Sequence, residues 1–290
     1  MADSQQSPMS HTSLPPQRER WLLLTLAGIQ FTYILDFMVM MPLGPQFTRL
    51  FAISDAQFGA LVSAYTFSAG ASGLAASAYL DRFDRKRLLL VLYTLFALST
   101  MGCALAGSYS QFFAARVGAG VFGGVLSALI QTILADVVPF ERRGRAMGVV
   151  MSSFSVSTVA GVPLGLYLAA AFSWHAPFWL VVGLSALFGV MAYFAVPQLR
   201  GHLDHPDRHS VWGEIVATVS ERNHQWSFAF TMVSILTSFM VIPYITIYLE
   251  TNLGVSNRQI PLLYLAGGAA TLISARWIGV TSDRLGKRLV

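Results

Sequence analysis

The sequence predicts an all-α membrane protein of eight transmembrane helices, and three observations predict it: the balance of apolar over charged residues, the lengths of the apolar runs, and the placement of the cations. Hydrophobic residues make up 54% of the 290 and charged residues 11%, whereas soluble domains carry about 25% charged residues. So little polar surface cannot cover a water-soluble globule, and most of the chain must face lipid. The apolar runs fall at 21–44, 56–80, 88–109, 111–137, 146–171, 177–196, 226–249 and 259–281, each near the roughly 20 residues a helix needs to cross a bilayer. They are continuous and rich in Leu, Ala, Gly and Ser, not alternating over about ten residues as barrel strands are. They are called spans 1 to 8 here.

The cations sort the loops. Short cytoplasmic loops collect Lys and Arg, and the basic residues gather in alternate connections: Arg18 and Arg20 before span 1; Arg82, Arg85, Lys86 and Arg87 between spans 2 and 3; Arg142, Arg143 and Arg145 between spans 4 and 5. Arg200, Arg208 and Arg222 lie between spans 6 and 7, and Arg284, Lys287 and Arg288 follow span 8. The other side holds Arg49 and Arg258, while Arg116 and Arg276 fall within spans. This places the N-terminus in the cytoplasm of a multi-pass cell (inner) membrane protein. It also explains the net charge of +5 as topology, with no basic, aromatic-interleaved stripe to serve as a nucleic-acid footprint.

Four regions follow. Residues 1–20, rich in Ser, Gln and Pro, read as a disordered cytoplasmic tail. Residues 21–196 hold six spans, 197–224 form a polar cytoplasmic linker, and 225–290 hold two more. The linker carries His202, His205, His209 and His224, and without a Cys or a second cluster these read as solvated residues, with no metal and no cofactor implied. Ser210, with Val211, Trp212, Ile215 and Val219 at helical spacing, suggests a short interfacial helix there. Cys103, the single cysteine, lies within an apolar run and forms no internal disulfide.

The chain repeats itself. A shift of 202 residues places Ser54 on Ser256, Gln57 on Gln259, Asp81 on Asp283, Arg82 on Arg284, Arg85 on Lys287 and Lys86 on Arg288 without a gap. Both copies start a helix with a Ser-x-x-Gln capping pattern and end in an acidic-basic loop. Six spans separate the copies, so the two halves run parallel, as in transporters built from parallel repeats.

At this point the sequence resembles the major facilitator superfamily. Gly279-Val-Thr-Ser-Asp283-Arg284-Leu-Gly286-Lys287-Arg288 is similar to the family's Gly-x-x-x-Asp-Arg-x-Gly-Arg/Lys-Arg/Lys loop signature. The first copy, around Asp81, Arg82 and Arg85, has Ser77 and Asp84 where the family has glycines, which suggests a looser turn. Gly161-Val-Pro163-Leu-Gly165 in span 5 resembles the antiporter branch's glycine-proline motif, with Val162 inserted between Gly and Pro. Arg116-Val-Gly-Ala-Gly120 in span 4 resembles that branch's Arg-x-x-Gln-Gly, with Ala119 replacing Gln. Asp36 followed by Met41-Pro42 in span 1 is similar to its intramembrane Asp motif.

An argument from physics stands beside the resemblance, because a charge inside a bilayer is costly and is usually paired or functional. At 1.5 Å per residue, Asp36 lies about 22 Å from the inner end of span 1. That puts it about 8 Å below the outer surface of a core about 30 Å thick, and Arg116 falls at about 9 Å by the same rise. The two are expected to meet, as a proton-coupling site or as a static bridge orienting two helices. Asp136, at the inner end of span 4 where the helix dipole disfavours an anion, is expected to pair with Arg142, Arg145 or an arginine of the 2/3 loop. Arg276 reads as an anchor that snorkels inward. Gly118, Gly120, Gly123 and Gly124, with Gly161 and Gly165, read as close-packing positions.

The resemblance implies a secondary active transporter, not an enzyme. It implies a proton-coupled antiporter that exports a small molecule by alternating access, with lipid and protons as its other partners. Asp36 and Arg116 would carry coupling, and Asp81, Arg82, Arg85, Asp136, Asp283, Arg284, Gly286, Lys287 and Arg288 would latch the cytoplasmic side. Phe37, Tyr65 and Tyr244 are candidates to face the cavity. Uptake by symport, or an inactive fragment or accessory subunit, are the alternatives. The repeat places counterparts of spans 3 to 6 beyond Val290, so the 290 residues are expected to be an N-terminal half with the first two helices of a second, and to give no coupled transport alone.

Overall fold

Backbone amides have no partner in lipid, so each apolar run closes its own hydrogen bonds as a helix. The computed structural model describes residues 15–76, 79–199, 219–256, 258–270 and Ser274, with the side chains of Asp81 and Glu141 outside that set. Its helices are α1 (Pro16–Met40), α2 (Gly44–Leu50), α3 (Asp55–Ala76), α4 (Arg85–Leu105), α5 (Tyr109–Val137), α6 (Phe140–Val156), α7 (Val162–Ala171), α8 (Ala176–Ala195), α9 (Arg222–Val241) and α10 (Ile245–Leu253). The segment Ile260–Ala270 adds α11. A helix coincides with every predicted span. Among the described residues six stretches are long and apolar enough to cross a bilayer, namely α1, α4, α5, the run Arg142–Ala171, α8 and the run Arg222–Leu253. Helix α3 has the length, at 22 residues, but Ser63, Thr66, Ser68 and Ser72 make it less apolar, and α11 is described over only part of span 8.

Several boundaries differ from the sequence reading. Helix α1 begins at Pro16 rather than Trp21, since a proline is favourable in a first turn and Glu19 suits the positive end of the dipole. The segment of Arg142, Arg143 and Arg145 is the start of α6 rather than a loop. Short α2 follows the Met41–Leu43 turn with its Gly44, Pro45 and Phe47 buried. The Ser210–Val219 helix expected in the linker falls almost wholly outside the described residues, as do Arg276 and the second loop motif.

Two spans are broken where proline breaks them. In span 5 the helix widens to a π turn over Ser157–Gly161, and the Val162 amide donates to the Ser157 carbonyl, five residues back. Pro163 lies just beyond, without an amide hydrogen and with a ring that crowds the carbonyl four residues earlier, and the added residue in the turn relieves that crowding. In span 7, Pro243 sits in a 3-10 turn, Ile242–Tyr244, between α9 and α10.

The first loop motif has a different local solution from the one its glycine pattern suggests. Asp84 is not in a strained turn. It has φ −58° and caps α4, its carboxylate accepting from the Lys86 and Arg87 amides at 3.0 and 3.1 Å. The residue that departs from the glycine thereby satisfies two otherwise orphaned amides.

Helix α5 is the hub, packed against α3 and α4, while α1 packs on α6 and α8 and α4 also meets α8. Small residues set the α3–α5 crossing. A side chain on Gly124 would fall on the Ala69 backbone, and one on Gly120 on Tyr65 and Ser68, so only glycine lets the two backbones approach this closely. Gly161 and Gly165 meet Phe31, Leu35 and Val39 of α1 in the same manner.

Helices α9 to α11 pack on this bundle more sparsely than its own helices pack on one another. No α9 residue is buried. Besides Phe239 of α9 by Phe37 and Gly268 of α11 by Val159, contact is made at one end, where Arg49 of α2 and Glu250 of α10 form an ion pair of 3.2 Å, Ile247 lies by Gly44 and the Tyr244 hydroxyl by Gly59. This is the end opposite the one bearing Glu19, Arg85 and Asp136, called the basic end below.

Candidate functional site

Four helices deliver one charged cluster. Asp36 comes from α1, Tyr65 from α3, Thr100 and Cys103 from α4 and Arg116 from α5. Asp36, Thr100, Cys103 and Arg116 each have 0% exposure, so the pair expected from matching depth is sealed from bulk water. The Arg116 Nη1 donates to Asp36 Oδ2 at 2.7 Å and to the Asp36 backbone carbonyl at 3.4 Å. The other carboxylate oxygen, Oδ1, accepts from the Thr100 hydroxyl at 3.3 Å. Charge-assisted bonds of this kind are about twice as strong as neutral ones. The guanidinium carbon also lies 4.4 Å from the centre of the Tyr65 ring, a cation–π contact.

Tyr65 links this pair to open space. Its ring stacks on Phe37 at 5.1 Å, and Phe37 in turn meets Phe239 of α9 at 5.7 Å. The Tyr65 hydroxyl donates to the Tyr33 carbonyl at 3.4 Å. Tyr33, Phe37, Tyr65, Ser127, Phe154 and Phe239 line a cavity of about 650 Å³ between the first bundle and α9, whose wall holds no Lys, Arg, Asp or Glu among the described residues. Tyr244 lies elsewhere, lining an adjoining cavity of about 830 Å³ between α3 and α9. Of the three aromatic candidates, two therefore share one wall.

The basic end gathers a second set. Arg85, buried at the first turn of α4, pairs through Nε with the Asp136 carboxylate near the end of α5, so the partner is the 2/3-loop arginine rather than Arg142 or Arg145. Arg142 pairs with Glu19 of α1 at 3.2 Å, and Arg143 Nη2 donates to the Ala135 carbonyl at 2.7 Å, completing the C-terminal turn of α5. Arg82 is exposed and Asp81 sits in the 3-10 turn Leu80–Arg82. Asp283, Arg284, Gly286, Lys287 and Arg288 lie outside the described residues, as do His202, His205 and His209.

Sequence reasoning missed Thr100, Tyr33 and Phe239. A threonine inside an apolar helix ordinarily bonds its own helix, so nothing in its spacing marks Thr100 until α4 is seen beside α1.

An ion pair sealed inside an apolar helical bundle, beside a cavity lined by aromatics, defines a membrane transport protein. The chain belongs to the Major Facilitator Superfamily, whose model matches residues 26–290. It is 23% identical, over 92% of its length and 67% of the relative's, to the uncharacterized MFS-type transporter YbcL of Bacillus subtilis. It is 24% identical to Multidrug resistance protein 2 of the same organism, over 67% of this chain and 47% of that one. Its fold matches the inward-facing, unoccupied structure of a bacterial homolog of the human lysosomal transporter Spinster with a TM-score of 0.75 and 18% identity, covering 95% of this chain and 64% of that one. The chain thus spans about two thirds or less of these relatives. They are transporters, not enzymes.

Proposed function

We propose that the chain carries the coupling half of a proton-driven antiporter that exports a small molecule by alternating access. The observation that carries the reading is the Asp36–Arg116 pair, a carboxylate with 0% exposure next to the wall of a cavity through Tyr65 and Phe37. A carboxylate in that position can be charged against Arg116 or neutral, and its proton is the coupling ion. Export is supported by the glycine-proline motif at Gly161, Pro163 and Gly165 and by the likeness to a multidrug resistance protein.

The cavity wall, aromatic and hydroxyl-bearing without fixed charge, suits an uncharged or weakly charged amphipathic substrate, since a buried full charge would lack a partner there. We place the basic end in the cytoplasm, following the cation count. With α9 and α10 joined to the first bundle at the opposite end, the arrangement corresponds to a site closed toward the outside. In this reading Arg85 and Asp136, with Asp81 and Arg82, belong to the cytoplasmic latch, and Asp283 to Arg288 form its second copy. Residues 21–196 make the first half, 197–224 the linker and 225–290 the start of the second.

The test is proton-driven accumulation of a panel of drugs and sugars in inverted membrane vesicles, comparing the chain joined to helices matching spans 3 to 6 with the same protein carrying Asp36→Asn. Accumulation that collapses with a protonophore and is lost in the Asn variant is the expected outcome. Accumulation indifferent to both would assign Asp36 to a static bridge.

A further inference from the structure

Threonines in these helices mostly bond their own helix, whereas Thr100, like Thr246 with its bond to the Tyr264 hydroxyl, reaches another. Thr25, Thr66, Thr94, Thr132 and Thr158 each donate to the carbonyl one turn back in their own helix, to Trp21, Val62, Leu90, Ala128 and Phe154. That is the ordinary fate of a hydroxyl in an apolar helix. Thr100, with 0% exposure, donates across to Asp36 Oδ1 on another helix.

We propose that Thr100 is the positioning residue that lets Asp36 change its protonation state while both remain buried. This rests on the proton-coupled reading of Asp36. The two carboxylate oxygens are not equivalent. Oδ2 and the Asp36 backbone carbonyl are both engaged by Arg116 Nη1, and a proton placed on Oδ2 would point at a cation. Oδ1 faces only a neutral hydroxyl, so the proton adds there. A threonine hydroxyl has one hydrogen and two lone pairs, so it serves both states. It donates to Oδ1 while the carboxylate is charged. When a proton from water bonds to Oδ1, the new O–H donates to Oγ1, and the threonine keeps its own hydrogen and turns it to the carbonyl one turn back, as Thr94 and Thr132 already do. No buried O–H is left without a partner in either state, which is what an apolar interior demands. The other titratable groups facing Asp36 are Arg116, Tyr65 and Cys103, and of the described groups it is the Thr100 hydroxyl that bonds Oδ1.

Infrared difference spectroscopy on the purified full chain during a pH titration reads this directly. The probe is the carboxyl C=O band that is lost in Asp36→Asn. Thr100→Val keeps the shape of the side chain and removes the hydroxyl. A bond to the charged form is worth more than one to the neutral form, so the midpoint of that band's titration is expected to move by about one pH unit, with the band itself displaced. Thr100→Ser, which keeps both roles and is the fallback should the valine variant fail to fold, is expected to leave midpoint and frequency as they are. Thr100→Ala then supplies the hydroxyl-free arm. A Thr100→Val band with unchanged frequency and midpoint would overturn the role of Thr100 alone. A titration with no band that depends on Asp36 would overturn the proton-coupled reading and this inference with it.

Discussion

Gly268 of α11 lies against the backbone of Val159 at the π turn that Pro163 imposes on the fifth span. A side chain added at Gly268 would stand 2.9 Å from the Val159 Cα and 3.0 Å from its Cγ2. A break in one span is therefore the surface on which a helix of the second repeat rests, and π turns often mark functional positions in helices.

That contact gives the first prediction. Gly268→Ala forces a backbone to move, while Gly183→Ala meets nothing within 4 Å and serves as the control. The Gly268→Ala chain is expected to unfold several degrees lower than the Gly183→Ala chain, and equal melting temperatures would mean that α11 does not rest on the π turn.

Removing one member of the buried pair should cost far more than removing both. Arg116→Leu leaves the Asp36 carboxylate uncompensated, and breaking a buried pair in this way costs about 3 to 5 kcal/mol. Asp36→Leu combined with Arg116→Leu should recover most of that loss, because neither charge then remains to be desolvated. Unfolding in mixed detergent, arranged as a double-mutant cycle, measures the difference. Additive single losses would show that the two charges do not depend on each other.

The cap of α4 offers a local test. Asp84→Ala removes an acceptor from the Lys86 and Arg87 amides and should destabilise the start of α4 by about 1 kcal/mol, whereas Asp84→Gly should cost only a few tenths. Hydrogen exchange at Lys86 and Arg87 is the measurement. If the alanine and glycine variants protect these amides as the parent does, the side chain is not the cap.

The ion pair that joins the two parts at the far end should act as a reporter, not a source of stability. The Arg49 side chain is 61% exposed, and pairs of this kind contribute about 0 to 1 kcal/mol. Arg49→Glu is expected to shift unfolding by less than about 1 kcal/mol yet to reduce crosslinking between cysteines placed at 48 and 251, with the effect shrinking at high salt. Crosslinking that is insensitive to both would show that the two ends are held by their apolar contacts alone.

Composition and run length made the helices legible. Lipid leaves an apolar run of about 20 residues no alternative to helix, and each expected span carries one. Asp36 and Arg116 were legible for the same reason, since two opposite charges at one depth in a medium that penalises each of them must meet. The breaks at Pro163 and Pro243 were not read from the sequence, nor that one would be a π turn and the other a 3-10 turn. That choice depends on what packs alongside, here Phe31 and Leu35 on one face.

Only the tertiary structure decided which partner each polar group takes. Asp136 had arginine candidates in two loops by sequence, and the closeness of α4 to α5 selected Arg85. Tyr244 and Phe37 looked alike as aromatics in apolar runs, and the placement of α9 put them in different cavities. Thr100 carried no signal at all. The sequence by itself determined what must be buried, because burial follows from the free energy of moving a side chain from water to hydrocarbon, a property of the residue. It could not determine the partners, because a hydrogen bond exists only within about 3 Å and over a narrow range of angles, and distances of that kind between helices are settled by how their side chains pack.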